Sequence, residues 1–230
     1  MPLYYDYTML ILIPAILLTM YAQAKIQKEY STYLRVRASR GYSGAQVARL
    51  ILDKNGLSDV PVQMSRGELS DHYDPRSRQV RLSQNVYNGT SLAANAIAAH
   101  EVGHAIQHSK SYFPLTLRST LVPLVNFASY AAMPIILAGL FFAEFNGLLN
   151  IGIWLFSLTV LFQLVTLPVE FDASRRAMRQ LEQEGILVGT ELPQSRKVLS
   201  AAALTYVAAA ASAISQLMRL IMIRNSRERR

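Results

Sequence analysis

Two stretches determine the fold: STLVPLVNFASYAAMPIILAGLFFA at residues 119–143 and FNGLLNIGIWLFSLTVLFQLVTLPV at residues 145–169. Each has 25 residues without Asp, Glu, Lys or Arg, and roughly 20 mostly apolar residues suffice for a helix to cross a bilayer. A short turn at Glu144 separates them, which predicts a transmembrane helical hairpin. Residues 7–24 and the Ala-rich residues 198–218 are also free of charge. The sequence therefore predicts a mainly α integral membrane protein with three to four transmembrane helices.

The composition agrees with a membrane protein and excludes several other classes. Of the 230 residues, 51% are hydrophobic and 17% are charged, which is too apolar for a disordered chain. The absence of cysteine excludes disulfides, thiolate zinc ligands and a cysteine nucleophile. The net charge is +8, but the sequence contains no nucleic-acid motif. Nucleic acid is therefore not expected as a partner.

The distribution of Lys and Arg predicts the orientation in the membrane. Residues 25–118 contain 13 of them and residues 175–197 contain 5, whereas residues 1–22 contain none. The positive-inside tendency places the two basic segments in the cytoplasm and the N-terminus outside. A cleaved signal peptide is disfavoured, because the basic residues follow the first apolar run rather than precede it. The five basic residues from Arg219 onward would lie outside if the fourth segment spans, against the positive-inside tendency.

The segment His100-Glu101-Val102-Gly103-His104 carries chemistry. It lies in an Ala-rich run that predicts a helix over about residues 91–109, and helical residues four apart share one face. Two imidazoles so placed can bind one Zn²⁺ together. Zinc lowers the pKa of a coordinated water towards neutrality, so Glu101 is predicted to act as general base and later as general acid.

A zinc site that stays open for water needs a third protein ligand, and the candidates are His108, His72 and the neighbouring acids Glu170 and Asp172. His108 lies about 12 Å from His100 along a straight helix, so it fits better in the core or beside a ligand. His72 has no motif around it. Glu170 is the first charged residue after a long apolar run, where a carboxylate is unexpected unless it is used. Glu170 is therefore the preferred third ligand.

Weaker predictions concern the binding of a peptide. Residues 78–82 have strand character, and a strand before the motif helix pairs with extended substrates in many zinc peptidases. The candidate substrate-strand residues are Val80, Arg81 and Leu82, for which a core strand is the alternative interpretation. Tyr206 and Arg175 have the chemistry to stabilise an oxyanion, although such residues are more often structural.

Three stretches resemble the YugP-like family of neutral zinc metallopeptidases, which are bacterial membrane proteins. They are residues 98–108, 168–177 and 202–209. The resemblance covers nearly the whole chain and implies a metal-dependent endopeptidase of the gluzincin type, related in plan to the HtpX and CAAX prenyl proteases. In those relatives a glutamate on a later helix completes the metal site, and that position corresponds to Glu170.

The chain departs from those relatives close to this glutamate. The relatives usually carry an Asp four residues after it, whereas this sequence has Ser174 there and Asp172 two residues earlier. Asp172 would reach a ligand imidazole only on a distorted helix. The group that hydrogen-bonds the ligand imidazoles therefore stays open, with Asp172 and His108 as candidates.

The predicted organisation has four parts. Residues 1–24 form an N-terminal transmembrane anchor, and residues 25–118 form a small α+β, zincin-like cytoplasmic part that carries the motif helix. Residues 119–169 form the transmembrane hairpin. Residues 170–230 contain the third-ligand helix and the Ala-rich C-terminal helix, which is expected to span the membrane.

Together these features predict a zinc metallopeptidase with one Zn²⁺ per chain, held by His100, His104 and Glu170. It is expected as a multi-pass protein in the lipid bilayer of the bacterial inner membrane, with the active site facing the cytoplasm. Its expected substrates are peptides or membrane proteins, and a homo-oligomer or a membrane partner protein is compatible with the sequence. The alternative is a non-enzymatic membrane scaffold or regulator with a structural zinc site, and the presence of Glu101 argues against it.

Overall fold

The computed structural model describes residues 7–67, 70–142 and 146–228, so the predicted turn at Glu144 and both chain termini lie outside the described residues. A 3-10 helix, Tyr7–Leu12, comes first. The remaining elements are α1 (Ile13–Leu34), α2 (Gly44–Lys54), β1 (Val62–Ser65), β2 (His72–Asp74), β3 (Gln79–Ser83), α3 (Gln84–Tyr87), α4 (Leu92–Ser109), α5 (Phe113–Phe141), α6 (Asn146–Gln183) and α7 (Glu191–Glu228).

Four helical segments among the described residues are long and apolar enough to cross a membrane. They are Tyr7–Leu34, Phe113–Phe141, Gly147–Gln183 and Glu191–Arg227. A helix lets such segments keep their backbone polar groups hydrogen-bonded in lipid. The prediction of a mainly helical chain with three to four helices of membrane-spanning length is therefore confirmed, and the Ala-rich segment is the fourth.

The chain divides into two compact units. The bundle unit comprises the described residues within 1–22, 117–167 and 205–230, and the sheet unit comprises those within 23–116 and 168–204. Each of the four long helices contributes residues to both units. Each unit is therefore assembled from segments that are distant in the sequence.

Small residues let α5 and α6 approach closely in the bundle unit. A Cβ on Gly139 would lie 2.5 Å from the backbone nitrogen of Leu149, and a Cβ on Gly152 would collide with Ile136. Ile136 and Leu149 also belong to a buried cluster with Leu220 of α7. Small residues at such contacts are typical of membrane helices, because lipid tails provide no hydrophobic driving force for helix association.

Polar contacts fix the cationic end of α7 within the bundle unit. Arg219 Nε donates to Thr8 Oγ1 at 3.3 Å, and Arg227 Nη1 donates to the carbonyl oxygen of Gly139 at 2.9 Å. Arg227 also donates to the carbonyl of Leu140. Since the last turn of a helix leaves its carbonyls without intrahelical partners and carries partial negative charge, the end of α5 favours an arginine. This contact gives a local reason for Arg227, one of the basic residues that the positive-inside tendency does not explain.

The sheet unit contains a three-stranded sheet in the order β1-β3-β2. β1 runs parallel to β3, and β2 runs antiparallel to it. Val80 and Leu82 of β3 are fully buried, as expected for a central strand. β1 and β2 are consequently the two edges of the sheet.

The helices α2 and α4 pack together beside this sheet. A capping box between Ser43 and Gln46 begins α2, and α4 begins after Ser91, whose Oγ accepts a hydrogen bond from the Ala94 N–H. The small buried residues of α4 that allow close packing include Ala93, Ala96, Ala98 and Ala99. This packing shields most of α4 from solvent and gives its polar residues a largely apolar environment.

Candidate metal centre

Two histidines of α4 and one glutamate of α6 converge in the sheet unit. His100 and His104 lie one helical turn apart, and their ring centroids are separated by 4.8 Å. Glu170 Oε2 lies 3.3 Å from His100 Nε2 and 3.7 Å from His104 Nε2. Glu170 is only 2% exposed. The fold therefore holds a buried carboxylate against two imidazoles.

The donor set and its spacing fit a zinc ion. One ligand atom from each of the three residues lies within 4.8 Å of the other two, and this is the one such group found among the described residues. Ligands bonded to a tetrahedral zinc at 2.0–2.2 Å are about 3.3–3.6 Å apart, which is close to the separations from Glu170 Oε2. Two imidazoles and one carboxylate also leave the fourth position that catalytic zinc sites keep open.

The close approach of α4 and α6 makes this convergence possible. A Cβ on Gly103 would lie 2.6 Å from the carbonyl oxygen of Ala173 and 3.2 Å from its Cα. A larger residue would therefore force the two backbones apart. Ala173 lies nearly one helical turn after Glu170. Gly103, between the two histidines, is thus the point at which α6 reaches the motif.

The second ring nitrogen of each histidine also has a partner. His100 Nδ1 lies 3.2 Å from Ser174 Oγ, and His104 Nδ1 lies 3.0 Å from Gln107 Oε1. These contacts leave the Nε2 atoms of both rings on the side of Glu170. Ser174, four residues after Glu170, therefore bonds His100. The resemblance leads one to expect an Asp at this position.

Glu101 is buried beside the three converging residues. It is 8% exposed, and its burial raises the pKa of the carboxyl to about 7. Its Oε2 accepts a hydrogen bond from the Tyr73 N–H of β2 at 2.9 Å. A carboxyl with a pKa near neutrality, next to a candidate metal site, has the chemistry of a general base.

The other two histidines lie outside the cluster. His108 Nδ1 lies 2.8 Å from the hydroxyl oxygen of Tyr73, and His72, which is exposed, has Nδ1 2.8 Å from the carbonyl oxygen of Ser70. Tyr73 thus contacts α4 twice, at Glu101 through its backbone and at His108 through its hydroxyl. This anchoring of an edge strand on α4 was not predicted, since Tyr73 stands in no sequence motif.

The structure also gives the positions of three further predicted residues, Asp172, Arg175 and Tyr206. Asp172 Oδ2 accepts hydrogen bonds from Gln107 Nε2 at 2.9 Å and from Arg176 Nε at 2.6 Å. Arg175 is exposed, and Tyr206 belongs to the bundle unit. The oxyanion role of Arg175 and Tyr206 stays a prediction.

The sheet order corrects the predicted substrate strand. β3 lies between β1 and β2, so Val80 and Arg81 have strand partners on both sides, and Leu82 pairs with Met64 of β1. A substrate chain therefore has no free edge at Val80 and Arg81, and the prediction is wrong for these two residues. For Leu82, whose described strand partner lies on one side only, it stays a prediction. The alternative interpretation, a core strand, is the one that the structure shows. The sequence did not reveal β2, because three residues are too few for a recognisable alternation.

Comparison with known proteins establishes the family of the chain. Residues 8–225 match the family described as "Putative neutral zinc metallopeptidase". The chain belongs to this metallopeptidase family. The chain is also 51% identical over 211 residues to a Bacillus subtilis (strain 168) protein described as "Putative membrane protease YugP", with 92% of this chain and 93% of the relative covered. No solved structure matches the chain. The resemblance inferred from the motifs is therefore confirmed.

Replacing Gly103 with Ala should weaken zinc binding. The added methyl group collides with the Ala173 carbonyl, which displaces α6 and with it Glu170. Overpacking of this kind typically costs about 1–3 kcal/mol, so we expect a lower Tm and less zinc per chain in elemental analysis of the detergent-purified protein. Gly147→Ala is the matched control, because nothing lies within 4 Å of a Cβ there. Equal zinc content in both variants would contradict the role assigned to Gly103.

Proposed function

We propose that the protein is a membrane-embedded zinc endopeptidase that hydrolyses peptide bonds of membrane or membrane-associated proteins. The observation that carries the proposal is the convergence of His100, His104 and Glu170 beside the buried Glu101 carboxyl. The zinc metallopeptidase family and the relative described as a membrane protease support it. The site is accordingly zincin-like and of the gluzincin type, with a carboxylate as third ligand.

Glu101 is the proposed general base. Zinc, when bound, supplies a Lewis acid that polarises a scissile carbonyl and lowers the pKa of a water towards neutrality. Glu101 takes the proton of the attacking water and later gives it to the leaving amine, which requires a pKa near the working pH. The Tyr73 N–H bonds Oε2 of this carboxyl and fixes its orientation.

We further propose that the substrate lies in extended form along β2. This strand is an edge of the sheet and lies next to Glu101. Glu101 Oε2 takes the Tyr73 N–H, so a substrate chain would pair with the other main-chain groups of the strand. An extended chain added to such an edge is held by main-chain hydrogen bonds. Pairing along β2 would deliver the scissile bond next to the general base.

The proposed location is the inner membrane of a bacterium, with the site on the cytoplasmic side. The apolar helices and the membrane relative support a membrane protein. The cytoplasmic orientation rests on the concentration of Lys and Arg in residues 25–118 and 175–197. Membrane proteins are therefore the proposed substrates.

A scaffold or regulator with a structural zinc ion is the competing function. A buried carboxyl beside the metal ligands favours the enzyme, because its desolvation is costly and a structural site does not use it. A hydroxamate chelates zinc that has an open position. A rise in the Tm of the zinc-loaded protein on adding a hydroxamate would support the enzyme, and an unchanged Tm would support the scaffold.

The substitution Glu101→Gln should abolish most of the activity and leave zinc bound. The amide still accepts the Tyr73 hydrogen bond but cannot take a proton, so we expect kcat to fall by about 10²- to 10⁴-fold. Cleavage of a membrane-protein substrate and zinc content are measured together. Glu184→Gln is the control, because Glu184 is a partly exposed residue that pairs with Lys54 at 3.9 Å. Cleavage by Glu101→Gln at the wild-type rate would exclude the proposed base.

A photo-crosslinking amino acid in place of His72 should capture a bound substrate. His72 is an exposed residue of β2, and the Glu101→Gln background keeps the substrate uncut. Met64 is the matched position, since it is exposed on β1 at the opposite edge of the sheet. Capture from position 64 and not from position 72 would show that the substrate does not use β2.

A further inference from the structure

The Gln107 side chain occupies an unusual position for an amide. It lies three residues after His104 on α4 and is 0% exposed. Its Nε2 donates to the carbonyl oxygen of Val169 at 2.8 Å and to Asp172 Oδ2 at 2.9 Å, and its Oε1 lies 3.0 Å from His104 Nδ1. Both amide protons and the amide oxygen therefore have partners within the protein.

These partners determine which way the amide points and which nitrogen of His104 carries the proton. The Val169 carbonyl and the Asp172 carboxylate can only accept hydrogen bonds, so the NH₂ group of Gln107 must face them. The amide oxygen then faces His104, and the Nδ1 of that ring must be the donor. The lone pair of His104 is consequently on Nε2, the atom on the side of Glu170, and this is the tautomer that a metal ligand needs.

Asp172 provides the negative charge at the far end of this chain of hydrogen bonds. Its Oδ2 also accepts from Arg176 Nε at 2.6 Å, and Arg176 lies over the Tyr112 ring at 5.7 Å from the centroid. The carboxylate is therefore held in place from two sides. A charged acceptor polarises the amide and makes its oxygen a stronger acceptor for the next hydrogen bond.

We infer that Gln107 is a positioning residue for the metal ligand His104 and that Asp172 is the anionic anchor acting through it. Asp172 thus acts on the His104 imidazole through Gln107, and the helix does not have to be distorted to bring the carboxylate into contact with the ring. The same amide ties α4 to Val169, the neighbour of Glu170, so the orientation of the imidazole and the position of the carboxylate are set together. The inference rests on the proposed zinc site and deepens it.

The test is the zinc dissociation constant of the detergent-purified full chain, measured by competition with a chelator. Gln107→Met keeps the side-chain volume and removes all three hydrogen bonds, and we expect zinc to bind about 10- to 100-fold more weakly, as for other groups that orient ligand imidazoles. Asp172→Asn keeps an acceptor oxygen and removes the charge, so a smaller weakening of a few-fold is expected. This second variant also keeps the test valid if Gln107→Met does not fold.

The matched control is Gln180→Met. Gln180 also joins two helices of the sheet unit, since its Oε1 accepts a hydrogen bond from Asn55 Nδ2 at 2.8 Å, but it does not touch the cluster. The Tm of each metal-free variant is recorded beside its zinc affinity, because a structural role alone lowers Tm in both Gln variants and leaves the affinity unchanged. Weaker zinc binding confined to Gln107→Met and Asp172→Asn supports the inference.

Two results would overturn the inference in distinguishable ways. Wild-type affinity in both Gln107→Met and Asp172→Asn, or equal weakening in Gln180→Met, would remove the positioning role and leave the proposed zinc site intact. Failure of the wild-type protein itself to bind zinc would remove the proposed function together with the inference.

Discussion

The contact between α4 and α6 is the constraint on which the candidate site depends. The carbonyl of Ala173 approaches Gly103 so closely that no side chain fits at that position. Neither helix alone forms a metal site, because α4 supplies two imidazoles and α6 supplies the carboxylate. A buried carboxylate is costly without a cation or hydrogen-bond donors. Zinc binding and the α4–α6 contact are therefore expected to be thermodynamically linked, each stabilising the other.

The electrostatics of the site follow from its burial. Glu101 and Glu170 are both nearly inaccessible to solvent, and two neighbouring carboxyls there would repel each other if both were ionised. The raised pKa of Glu101 reflects its desolvation first. A divalent cation held by Glu170 and the imidazoles would offset that repulsion. The arrangement thus suits a pair of carboxyls with different tasks, one as ligand and one as proton carrier.

The predictions that succeeded from sequence concern features of single segments. The length of a charge-free run suffices to predict a helix of membrane-spanning length, and the four-residue spacing of His100 and His104 suffices to place both on one helical face. Glu170 could be selected because a carboxylate directly after a long apolar run is unexpected unless it is used. The structure brings these three residues together, and their role as ligands stays a prediction.

The features that were missed depend on packing between segments. The strand β3 has a suitable sequence for pairing, but only the strand order shows that both of its edges are occupied. β2 is too short to show a pattern, so the double contact of Tyr73 with α4 was not visible. In the sequence, Gln107 looks like any polar residue near a helix end. Its hydrogen bonds to Val169 and Asp172 are visible only when α6 is packed against α4. The position of Arg227 at the end of α7 is likewise explained only by the carbonyls of α5 that it contacts.

The three-ligand assignment is tested by the zinc content of the detergent-purified protein, measured beside Glu170→Ala and His108→Ala. We expect about one zinc per chain in the wild-type protein and in His108→Ala, because His108 bonds Tyr73 rather than the cluster, and a large loss in Glu170→Ala. Zinc retained without Glu170 and lost without His108 would contradict the assignment of the three ligands.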